Sequence, residues 1–81
     1  MARIQIETGA RNVQYDIYKG WRIEVVTGYE IGSDKWPIHI YVGESANAMT
    51  KIAGQWRADS QAEAFDQGFA IGQSEIDQGN D

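Results

Sequence analysis

The residues that could do chemistry in this 81-residue chain are few and scattered. His39, the single histidine, is a group that titrates near neutral pH, but the chain has no cysteine for it to activate. Ser33, Ser45, Ser60 and Ser74 fall in loops, at a helix cap and inside a helix, and none has the strand–turn–helix setting of a nucleophile elbow. Gly28-x-x-x-Gly32 runs into Ser33-Asp34-Lys35 without the Lys-Ser/Thr ending of a phosphate-binding loop. Carboxylates are plentiful only along the last quarter, where nothing encloses them as acid–base catalysis requires. One histidine and no cysteine leave no basis for an all-protein zinc site or a disulfide framework. A non-enzymatic protein without metal or cofactor is therefore expected.

The elements that must position any site read clearly in places. Ser60-Gln61-Ala62-Glu63 is a capping box: the Ser hydroxyl can accept from the Glu63 N–H while the carboxylate reaches back to the Ser60 N–H. Behind it Ala62, Phe65, Phe69, Gly72 and Ile76 recur at spacings of three and four, which stacks them on one side of a helix from Gln61 to about Gln78. Gly79 stands where a C-terminal cap is expected. Ala64, Gly68 and Ile71 lie on a flank, where Gly68 and Ile71 could offer a shallow apolar strip to a partner. Gly72 reads as a point of close approach, bringing the helix backbone near Trp21 or Trp56.

Upstream, the period is two. Val13, Tyr15 and Ile17 alternate with Gln14, Asp16 and Tyr18; after Lys19-Gly20, Trp21, Ile23 and Val25 alternate with Arg22, Glu24 and Val26. That is a hairpin pattern around a two-residue turn. Residues 28–35 read as a connecting loop, Trp36 to Val42 as a strand with Ile38, Ile40 and Val42 inward, and Lys51 to Arg57 as a last strand with Ile52 and Trp56 inward. Gly54 leaves room there for a bulge or for a large side chain from the helix. Residues 1–12 read as an edge strand or a loose arm, broken at Thr8-Gly9-Ala10-Arg11-Asn12. Strands first and a helix last give an α+β domain: a three- or four-stranded antiparallel sheet with one C-terminal helix across one face.

Charge is uneven. Residues 1–57 carry a net +1, while 58–81 carry −6 from Asp59, Glu63, Asp66, Glu75, Asp77 and Asp81. A basic stripe is missing, which disfavours nucleic acid as a partner. No apolar run is long enough to span a membrane, and a cytoplasmic location is expected. The face away from the helix would show Tyr18, Arg22, His39, Tyr41 and Arg57, residue types enriched where proteins recognise one another. Those five, with Ile71 on the helix, are the candidate partner-binding residues of an interaction module that acts through the open sheet face or an edge strand, as a homodimer or on another protein. The alternative is an acidic inhibitor that blocks a basic site with its helix.

Tyr18-Lys19-Gly20-Trp21-Arg22-Ile23, then Asp34-Lys35-Trp36, then Ser60-x-x-Glu63-Ala64 leading to Ile76-Asp77 resembles a family of small bacterial proteins of unknown function over about residues 15–77. The resemblance implies the same strands-then-helix order and brings no assigned activity or site residues.

Overall fold

The computed structural model describes residues 3–8 and 11–79. Gly9 and Ala10 of the expected break and the final acid, Asp81, lie outside them. Six strands precede one helix: β1 (Ile4–Thr8), β2 (Arg11–Tyr18), β3 (Trp21–Thr27), β4 (Trp36–Gly43), β5 (Met49–Lys51), β6 (Trp56–Ala58) and α1 (Gln61–Gly79). All pair antiparallel in the order β1-β2-β3-β4-β5, with β6 also on β4. The class is the expected α+β, but the sheet has six strands where three or four were expected. Two differences make up the count. Residues 4–8 form an edge strand, and the expected last strand is split in two.

The split has a simple geometry. Lys51 stands opposite Tyr41 and Trp56 opposite Ile38. Between those pairs β4 has two residues, His39 and Ile40, while the other side has the four residues 52–55. The two extra residues bulge out of the ladder. Gly54 sits in this bulge at φ +140°, a conformation few other residues tolerate, and a β-carbon there would come within 2.6 Å of the Trp56 indole. The room at Gly54 is thus taken by Trp56, and no helix side chain enters it.

The β2–β3 hairpin turns on Lys19 and Gly20 with φ of 52° and 83°, both positive as a tight two-residue hairpin turn demands. This turn sets Tyr18 opposite Trp21, Asp16 opposite Ile23 and Gln14 opposite Val25. Even-numbered residues of β2 therefore share a face with odd-numbered residues of β3. Since Ile23 and Val25 lie under the helix, Gln14, Asp16 and Tyr18 point to the helix side of the sheet, while Val13, Tyr15 and Ile17 face the other way. This reverses the expected assignment of β2. The helix does not require β2's apolar row, because it lies over β3, β4 and β6. A helix about 10 Å across covers roughly two to three strands spaced ~4.8 Å apart.

The core lies between α1 and those strands: Ile23, Val25, Ile38, Ile40 and Ala58 from the sheet meet Ala64, Phe65, Phe69 and Ile76 from the helix. Trp21, Trp36 and Trp56 pack against its margin, half-buried. Phe65 and Phe69 are 3% and 1% exposed, and burial of each contributes about 1.5–3 kcal/mol. The buried stripe is Ala64, Phe65, Gly68, Phe69, Gly72 and Ile76, while Ala62 is exposed. The stripe is thus rotated toward the Ala64 flank relative to the expected one. Gly68 and Gly72 are one helical turn apart, and both press on β3. A β-carbon at Gly72 would lie 2.7 Å from Ile23 Cγ2, so the close approach is to Ile23 and not to a tryptophan. Gly68 meets Val25 and is buried, which removes it from any exposed strip.

Polar contacts fix the helix at its start and along its length. Ser60 Oγ accepts from the Glu63 N–H at 3.1 Å, as the capping box requires; Glu63 Oε2 in return accepts from the N–H of Asp59 at 3.3 Å, one residue earlier than expected. Lys35 donates to Asp59, Arg3 to Asp66 at 2.7 Å, and Lys19 to Asp77 at 2.6 Å. The Arg3 guanidinium also lies over the Phe69 ring, 4.6 Å from its centre. Three acids of the helix region are therefore paired with bases that flank the strands, just before β1, in the β2–β3 turn and just before β4.

Candidate functional site

Among the described residues no element covers the sheet face opposite α1, and its side chains follow from register. One cross-strand row reads Ile4, Tyr15, Glu24, Tyr41, Lys51; the next reads Ile6, Val13, Val26, His39. Ile17 and Arg22 begin a third row, and Pro37 stands opposite Arg57 in a fourth. The face divides into an apolar half over β1, β2 and β3 and a basic half over β4, β5 and β6.

In the apolar half, Val13 and Val26 are 5% and 9% exposed although no layer lies above them. Their neighbours Ile6, Tyr15 and His39 are half-buried, and together these side chains make a small second cluster on the open side. Ile4 and Ile17 border it at 48% and 49% exposure. Arg22 lies flat over Tyr15, 3.7 Å from the ring centre, and its guanidinium reaches Glu24 at 3.3 Å. The stacked arginine and its carboxylate make a rigid polar border to the patch. The outer edge of β1 runs alongside, five residues long, with no strand beyond it among the described residues. At the opposite side of the sheet the edge is interrupted by the bulge between β5 and β6, which spoils it as a pairing template.

In the basic half, Arg11, His39, Lys51 and Arg57 line a half-open concavity of about 560 Å³. Its floor is β4 around Pro37 and His39, and the bulge at Gly54 and Gln55 forms one wall. Burial holds the His39 pKa below its usual value, and the positive charges of Lys51 and Arg11 lower it further. Tyr29, at the far rim, donates to Asp34; this bond raises the phenol's pKa above its usual value.

The structure brings four of the six sequence-derived candidates together: Arg22, His39, Tyr41 and Arg57 all lie on the open face. Tyr18 does not. It lies under the helix side, where its hydroxyl donates to both carboxylate oxygens of Asp77 at 3.1 and 3.0 Å. Ile71 is half-buried at the margin of the core, so it offers little free surface. Sequence reasoning put Val26 on the open face but missed the rest of the apolar half, along with Arg11 and Lys51 in the concavity. The signal for the apolar half was present: a two-residue turn pairs positions 18 and 21, and their parity puts Val13, Tyr15 and Ile17 beside Arg22 and Glu24. Among the described residues no group of three or more His, Asp or Glu side chains is gathered closely enough to hold a metal ion, and no helix is long and apolar enough to cross a membrane. Comparison of the chain with protein families, curated proteins and solved structures finds no match.

Proposed function

We propose that this protein is a small interaction module whose working surface is the apolar half of its open sheet face together with the free edge of β1, and whose first partner is a second copy of itself. The observation that carries this is the second apolar cluster: Val13 and Val26 are buried on a face with no covering layer, and Ile4 and Ile17 extend that cluster into solvent. Contiguous exposed apolar surface on a small domain favours association. An uninterrupted edge next to it supplies backbone donors and acceptors in register. Two copies related by a twofold axis perpendicular to the sheet would pair their β1 strands antiparallel and place Ile4 and Ile6 of one beside those of the other. The alternative, an acidic inhibitor acting through α1, has less support, because Asp59, Asp66 and Asp77 are already paired with Lys35, Arg3 and Lys19.

Sedimentation velocity over a concentration series tests the proposal. The wild-type chain is expected to self-associate, and Ile17→Glu to sediment as a monomer with an unchanged far-UV circular dichroism spectrum. A wild-type chain that stays monomeric at every concentration overturns the reading of a second copy as partner.

A further inference from the structure

The basic half of the open face has a separate use. Four bases from four different strands converge on one concavity, with Arg11 from β2, His39 from β4, Lys51 from β5 and Arg57 from β6. Glu30, from the β3–β4 loop, is the one acid in its described lining. Its carboxylate forms a long ion pair with Arg57 at 3.9 Å, without a hydrogen bond. Lys51 makes no ion pair or hydrogen bond with another described side chain. In a chain of net charge −5, this is a local reversal of sign. Burial is the larger cause of the lowered His39 pKa, and the charges of Lys51 and Arg11 add to it. Like charges held around a low-dielectric wall repel, and a multivalent anion entering between them relieves that repulsion.

We infer that this concavity binds a compact polyanion, a phosphate-bearing small molecule with the charge of a di- or triphosphate. Arg57 supplies a planar fork that matches phosphate oxygens, Lys51 a mobile point charge, and His39 a ring N–H from the floor. Arg11 closes the side toward β2. The volume suits a small molecule, since ligand sites commonly measure about 300–1,000 Å³. The site shares His39 with the apolar cluster, but Lys51 and Arg57 lie outside that cluster, so anion binding is read out separately from self-association.

The single histidine makes the test direct. Pyrophosphate is titrated into the full chain while the imidazole C–H signals of His39 are followed by NMR, with sodium chloride at matched ionic strength as the reference. A saturable shift is expected, together with a rise in the His39 midpoint of about half a pH unit or more, because a bound anion favours imidazolium. Lys51→Gln combined with Arg57→Gln is expected to weaken binding about tenfold or more, and Glu30→Gln to tighten it. A 5′-phosphorylated oligoribonucleotide is run in parallel. Pyrophosphate that behaves like chloride, affinity unchanged in the double variant, or binding confined to the oligonucleotide would each overturn the proposal.

Discussion

Gly68 of α1 lies so close over Val25 of β3 that a β-carbon at position 68 would run into both γ-methyl groups of the valine. Val25 is fully buried and, being β-branched, has little freedom to turn aside. Alanine would improve helix propensity by about 1 kcal/mol, while overpacking typically costs about 1–3 kcal/mol. Gly68→Ala is therefore expected to lower stability by about 1 kcal/mol, a fall in Tm of roughly 4–8 °C for a domain this small. Gly72→Ala, which meets the more adaptable Ile23, should cost less. Thermal unfolding of both variants checks the order; a stabilised Gly68→Ala would show that the helix rides higher on the sheet.

The helix start makes a second prediction. Ser60 accepts from the Glu63 N–H, and without its hydroxyl that donor loses its partner. Ser60→Ala is expected to destabilise the domain by about 0.5–2 kcal/mol, and Ser60→Asp to restore most of the loss. Chemical denaturation gives both values directly.

A third concerns the clasp at the helix's far end, where Lys19 and Tyr18 both donate to Asp77. The bond to Lys19 is the main cause of an Asp77 pKa held below its usual 3.8, and it raises the Lys19 pKa above its usual 10.5. A depressed carboxylate contributes stability that is present above its unfolded pKa and lost as pH falls through the folded one. A raised lysine contributes stability that is present below its unfolded pKa and lost as pH rises through the folded one. Asp77→Asn should thus differ from wild type least below pH 3.8 and at strongly alkaline pH, and most in between. Because both groups are exposed, the difference should shrink in high salt. Melting temperatures measured across pH at two salt concentrations decide it.

His39 predicts a slope of the same sign as that of Asp77, but nearer neutrality. Its folded pKa lies below 6.5, chiefly through burial, so between the two values the unfolded chain binds more protons than the folded one. Stability should therefore fall as pH drops from 6.5 toward the folded pKa, with burial first and then Lys51 and Arg11 opposing protonation. His39→Gln is expected to flatten that segment of the pH–stability curve. The measurement belongs in a phosphate-free buffer, since a bound polyanion would mask the effect.

Much of the fold was legible because its determinants are local. The capping box and the three-and-four spacing of Phe65, Phe69, Gly72 and Ile76 define a helix whatever surrounds it, and the observed start at Gln61 agrees. The Lys19-Gly20 turn is local in the same sense. Strand number was harder to read, because β1 exists only through its pairing with β2, and β5 and β6 are two pieces of one run parted by a bulge. The candidate site was legible in part: alternation placed Arg22, His39, Tyr41 and Arg57 on one face. It misplaced Tyr18, because the apolar residues of β2 were assigned to the core.

That misplacement marks the boundary between the two sources of information. By itself, the sequence determined which residues share a side of each strand, where the helix begins, and that its acids collect at one end of the chain. Only the tertiary structure decided which side of the sheet the helix covers, and that a helix too narrow to span the sheet leaves Val13, Tyr15 and Ile17 on the open face. It also decided that four bases distant in the chain meet around one hollow. Periodicity is set by backbone geometry within a strand, whereas the choice of face depends on register and packing between strands that no single segment encodes.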